Sequence, residues 1–143
     1  MPYPPMLPVP TPPVFSNAAG VLEAHPAGYV VLRLAAEHLE VGALSELFTQ
    51  AGALLLRHGW RGLLVNVEAV ESFDQAVLTW LLRHWLAQKT PQPLRLSRAL
   101  VMPTAPAALA AIGVLRDQFP AQARYAYFAH EADAHHYLTT LLS

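Results

Sequence analysis

Imidazoles ligate metals and carry protons near neutral pH, and this chain has seven: His25, His38, His58, His84, His130, His135 and His136. No two stand four residues apart, the spacing that puts both rings of an H-E-x-x-H zinc motif on one helix face. His135 and His136 are adjacent, and neighbours on a helix point about 100° apart. There is no cysteine, which excludes disulfides, thiolate catalysis and Cys-based zinc sites. A Ser-His-Asp hydrolase would need a G-x-S-x-G elbow, and a phosphate-binding enzyme a Gly-rich loop. Neither is present; Gly28, Gly42, Gly52, Gly59 and Gly62 stand singly. The expectation is a non-enzymatic protein with no metal and no cofactor.

A tighter polar grouping, Glu71, Ser72, Asp74, Gln75 and Thr79, lies within LLVNVEAVESFDQAVLTWLLRHWL at 63–86. Leu63, Leu64, Val65 and Val67 make the apolar run of a strand covered on both faces. A helix is expected from near Ser72, because Ser72 and Gln75 have the S-x-x-Q spacing of a capping box. Asp74 then falls in the first turn, at the end of the strand where open α/β sheets bind ligands; compensation of the helix dipole is its simpler role. Phe73, Val77, Leu78, Leu81, Leu82 and Trp85 lay one apolar stripe. Trp80, His84 and Trp85 could line a small-molecule or lipid cavity, with Trp85 alternatively in the core.

This strand-turn-helix resembles the signature of STAS domains, found in sulphate transporters and bacterial anti-sigma-factor antagonists. Asn66 falls on the family's first Asp, Val70 on its Val, Phe73 on the apolar residue and Asp74 on the second Asp. Gln75 stands where the phosphorylatable Ser would be, and Val77 where the family has Gly. The closing segment YAYFAHEADAHHYL is also similar to that of bacterial STAS-like proteins. The resemblance implies a regulatory domain that contacts a protein partner, or a second copy, through Glu71, Ser72, Asp74, Gln75 and Thr79. Gln has no hydroxyl, so the family's phospho-switch is not expected; Gln75 is read as a cap. The alternative is a small-molecule or lipid carrier, since some bacterial STAS-like domains resemble the CRAL-TRIO fold.

The elements that must position these residues read β-β-β-α-β-α-β-α-β-α. Strands are expected near Val14–Ser16, Val21–Ala24, Tyr29–Leu34, in the opening strand of the 63–86 stretch, at Ser97–Met102 and Ala123–Phe128. Helices are expected over Val41–His58 with Gly59 as stop, from Ser72, over Ala105–Asp117 capped by Thr104, and over Glu131–Leu142. That order predicts an α/β fold: a mixed, largely parallel sheet of about five to six strands with an antiparallel N-terminal hairpin and about four helices. The hairpin ending in Tyr29–Leu34 is expected at the edge, wet on one face. Residues 14–143 form a single domain after a Pro-rich arm at 1–13, which holds seven of the thirteen prolines. Its P-x-x-P spacings suit an aromatic groove, although such tails are more often disordered or merely packed along the surface.

Nine Lys plus Arg against ten Asp plus Glu, with no basic run, leave no electrostatic footprint for nucleic acid or anionic membrane. Charged residues are 13% of the chain, against about 25% in ordinary domains. Either short alanines inflate the apolar count, or part of the surface meets a partner. No secretory signal and no run near ~18 apolar residues is present, so a cytoplasmic protein is expected.

Overall fold

A computed structural model describes residues 13–37, 39–85, 87, 89–93, 95–118 and 125–142. The arm before Pro13, His38, the exit at Pro120 and the start of the last strand at Ala123 lie outside the described residues. The elements are β1 (Pro13–Asn17), β2 (Gly20–His25), β3 (Tyr29–Leu34), α1 (Val41–His58), β4 (Gly62–Asn66) and α2 (Gln75–Trp80). A π-helical turn over Leu81–Trp85 prolongs α2, and β5 (Ser97–Val101), α3 (Pro106–Gln118), β6 (Tyr125–Phe128) and α4 (Glu131–Leu142) follow.

Among the described residues six strands form one sheet in the order β1-β2-β3-β4-β5-β6. The first three are antiparallel, and β3 through β6 are parallel. The sequence therefore predicts the α/β class and the mixed sheet correctly. A parallel sheet that always advances in one direction by right-handed crossovers must place every crossover helix on the same face. Accordingly α1, α2 and α3 pack against Val30, Leu32, Leu34, Leu63, Val65 and Leu100 on one face. On the other face α4 folds back, setting Ala134 and Leu138 against Tyr29, Val31, Leu64, Ala99 and Val101.

That return corrects one expectation. The antiparallel N-terminal strands do lie at one side of the sheet, but β3 is not wet on one face: it is flanked by β2 and β4, with Val31 covered by α4. β1 and β6 are the outer strands. Gly62 shows how closely α4 seats: a Cβ there would come within 2.7 Å of Leu142 Cδ1 and 2.8 Å of Tyr29 Cβ. α1 ends as expected. Gly59 takes the left-handed conformation (φ 65°), and the N–H groups of Gly59 and Trp60 return to Leu56 and Leu55 carbonyls.

The π-helical turn has a cause in the sequence. Val77, Leu81 and Trp85 are all buried and stand four apart along α2 and the turn. Four α-helical residues turn about 400°, so such a row drifts about 40° per step around an α-helix. The wider π turn slows the drift and keeps Trp85, 2% exposed, on the core. Of the expected stripe, Leu78 and Leu82 are half-buried, and Trp80 is buried against Phe48 instead.

Candidate functional site

The β4–α2 turn is pinned from beneath and open above. Val70, Phe73 and Val77 are buried, while Glu71, Ser72, Asp74 and Gln75 are exposed and Thr79 is half-buried. Backbone bonds hold the turn's path: Val67 N–H to the Val101 carbonyl at 3.1 Å, Val70 N–H to Val67 at 3.0 Å and Glu71 N–H to Ala36 at 3.3 Å. Helix α2 starts at Gln75 and not near Ser72, so the expected capping box is absent. Asp74 is the N-cap: extended in backbone, it accepts the Val77 N–H on Oδ1 at 2.8 Å. Gln75 Nε2 donates along the helix to Thr79 Oγ1 at 3.4 Å. A carboxylate one residue before the helix competes with Ser72 for the same orphaned donors, and its charge favours it there. The five residues expected to meet a partner thus share one exposed segment.

A second polar group, on the α4 face of the sheet, was not anticipated. Glu131, at the start of α4, accepts a bidentate pair from Arg33 on β3, Nε to Oε1 at 2.7 Å and the second guanidinium nitrogen to Oε2 at 2.9 Å. Asn66, at the end of β4, donates to Oε1 at 2.8 Å, and Arg33 also reaches Glu23 on β2 at 2.6 Å. His135, one turn along α4, bonds Glu131 Oε2 through Nε2 at 3.1 Å and Tyr29 OH through Nδ1. A neutral imidazole protonated at Nε2 satisfies both, donating to Glu131 and accepting from Tyr29. The His25 ring stacks on Tyr29 at 4.3 Å.

The titration of the cluster follows its bonds. The bond from His135 holds the Glu131 carboxyl far below the usual range against the cost of burial, with Arg33 and Asn66 adding to the effect. Burial, then the Glu131 charge, pushes the Tyr29 phenol up to about 12. Burial and then the neighbouring His135 lower His25. Within this carboxylate–imidazole–phenol series Tyr29 is 0% exposed, with the His25 ring stacked on it, while the His135 and Glu131 side chains are partly exposed. The arrangement fastens α4 to the sheet. The Glu131–His135 spacing of four was legible in the sequence; the partners of the pair on β3 and β4 were not.

On the opposite face, a cavity of about 70 Å³ lies between the sheet, α1, the π-helical turn and α3. Its walls include Phe48, Phe73, Leu81, Trp85, Leu100 and Ile112, with exposed Arg116 and Tyr127 also on its lining. Of the three aromatics read as cavity candidates, Trp85 lines it; Trp80 and His84 stack on each other at 5.8 Å away from it. Trp85 Nε1 donates to Tyr125 OH at 3.0 Å. Behind Tyr125 lies Arg98, 6% exposed, which donates to Leu96 O and Gln92 Oε1 at 3.3 Å each and sits 5.9 Å from the Tyr125 ring centre.

Among the described residues no three His, Asp or Glu side chains are grouped to hold a metal ion, and no helix is long and apolar enough to cross a membrane. Comparison of the chain with protein-family models, curated proteins and solved structures found no significant match.

Proposed function

We propose that this chain is a non-enzymatic, STAS-like interaction domain of the cytoplasm, meeting a protein partner or a second copy through Glu71, Ser72, Asp74, Gln75 and Thr79. The observation that carries the reading is the contrast within that segment: buried Val70, Phe73 and Val77 fix the backbone while Glu71, Ser72, Asp74 and Gln75 stand in solvent. A polar, preformed surface suits docking of a partner, because little ordering entropy is lost on association. Contact does not depend on phosphorylation, since residue 75 carries no hydroxyl. The catalytic reading draws no support from the polar cluster on the α4 face, whose groups bond to one another. A lipid carrier is disfavoured by size: about 70 Å³ is well under the roughly 300–1,000 Å³ of drug-sized ligand sites.

The test is a photo-crosslinking amino acid placed at Gln75, and separately at exposed Arg57 on the far end of α1, in the native cell. A discrete adduct from position 75 that position 57 does not give is expected, and its mass distinguishes a partner from a second copy. No adduct from position 75 would sink the proposal. Stoichiometric phosphate on Ser72 or Thr79 in protein from those cells would remove the claim that no phospho-switch operates.

A further inference from the structure

We propose that the outward face of α3 is a contact between two copies of this chain, the two helices packed antiparallel about a two-fold axis. The face is separate from the Glu71–Thr79 segment and does not rest on the reading of that segment.

Helix α3 turns Ala108, Ile112 and Leu115 into the core. Opposite them, at about 100° per residue, Pro106, Ala110, Gly113 and Asp117 form the outermost line, with Leu109 on one flank and Val114 on the other. Leu109 is 45% exposed and Val114 54%, and no charged residue occurs in α3 before Arg116. Two residues set this face apart from a merely alanine-rich one. Gly113 costs a helix interior about 1 kcal/mol against Ala, yet a Cβ there would meet nothing within 4 Å, so no contact inside the chain calls for glycine. Asp117 stands in the last turn, where the helix dipole disfavours a carboxylate. It is largely exposed, and its ion pair is with the neighbouring Arg116 at 3.6 Å.

Both positions become favourable in one arrangement. A second α3, antiparallel and related by a two-fold axis at the level of Ala111 and Ile112, brings each Asp117 beside the other helix's first turn at Pro106, the positive end of its dipole. On one flank Leu109 then enters the gap over the partner's Gly113, and on the other Val114 lies against the partner's Ala107 and Ala110. Each large side chain meets a small one, as a self-complementary surface requires. A parallel pairing would instead set Asp117 against Asp117 and align the two dipoles, so charge selects the antiparallel form. The extent of the contact sets its strength. Thirteen residues make a helix roughly 20 Å long and about 10 Å across, well short of the ~1,200 Å² of a stable interface, so the dimer is weak and reversible.

The experiment is sedimentation equilibrium of the full-length chain at concentrations up to about 1 mM, the range of a weak complex. A concentration-dependent dimer is expected. Gly113→Leu fills the gap while improving the helix, so it should raise the Tm and yet weaken association by roughly tenfold or more; a fold defect would move both the same way. Direction is read by oxidation, since the chain has no cysteine of its own. A mixture of Pro106→Cys and Asp117→Cys should give the mixed disulfide in preference to Asp117→Cys linked to itself. A chain that stays monomeric up to about 1 mM overturns the contact. A dimer that Gly113→Leu leaves unchanged lies on another surface and overturns the assignment to α3, and predominant self-linking of Asp117→Cys overturns the antiparallel arrangement.

Discussion

Asn66 ties the end of β4 to the start of α4. STAS domains carry Asp at the matching position, whereas here the side chain donates to Glu131 Oε1 at 2.8 Å and accepts the Glu68 N–H at 2.8 Å. A carboxylate would meet Glu131 as a like charge and could donate nothing while ionised. Asn66→Asp is expected to lose roughly 1–3 kcal/mol of stability at pH 7, with part regained as the pH falls and the introduced carboxyl takes up a proton; urea unfolding at pH 7 and 5 measures both. Glu131 itself makes stability pH-dependent. Its carboxyl titrates lower in the folded chain than the ordinary value of 4.5, so the unfolded chain binds the proton more readily. The stabilisation is present above pH 4.5 and is lost as the pH falls below it. His25, lowered from 6.5, acts with the same sign as the pH falls through that value. Thermal unfolding from pH 7 to 3 should show this decline, and Glu131→Gln should be less stable at pH 7 yet flatter below 4.5.

At the scale of the element, α2 separates two kinds of hydroxyl and amide side chain that a spacing rule treats alike. Ser72 and Gln75 match the capping-box pattern, but the chain places Asp74 at the cap, with Ser72 outside the helix and Gln75 inside it. Asp74→Ala should therefore cost about 1 kcal/mol, while Ser72→Ala stays within about 0.5 kcal/mol, as for a surface change away from any cap. Chemical denaturation of the two variants distinguishes the assignments. The pattern was ambiguous because a shift of two residues leaves the apolar stripe almost unchanged, and the side-chain bond that decides is local and geometric.

For the whole molecule, the sequential strand order sends α1, α2 and α3 to one face and leaves a single helix, α4, for the other. That face is covered only if α4 is seated, and Leu138, 0% exposed, is its central apolar contact. Leu138→Ala should cost roughly 2–5 kcal/mol and expose Tyr29 to solvent; calorimetry gives the first, and tyrosine accessibility to a water-soluble quencher gives the second.

By itself the sequence determined the elements. The apolar period of α1, the acidic first turn of α4, the stop at Gly59, and the apolar alternation of Tyr29–Leu34 are local properties, set by a few neighbours and a fixed repeat. Only the tertiary structure decided that β3 is covered on both faces, that Arg33, Asn66, Glu131, His135 and Tyr29 converge, and that Trp85 and Tyr125 meet beside a cavity. Those residues are separated by up to 106 positions in the chain, and strand order, helix face and return path set their distances. No periodicity within one element encodes which strand stands next to which, so contacts across the sheet become visible when the chain is folded.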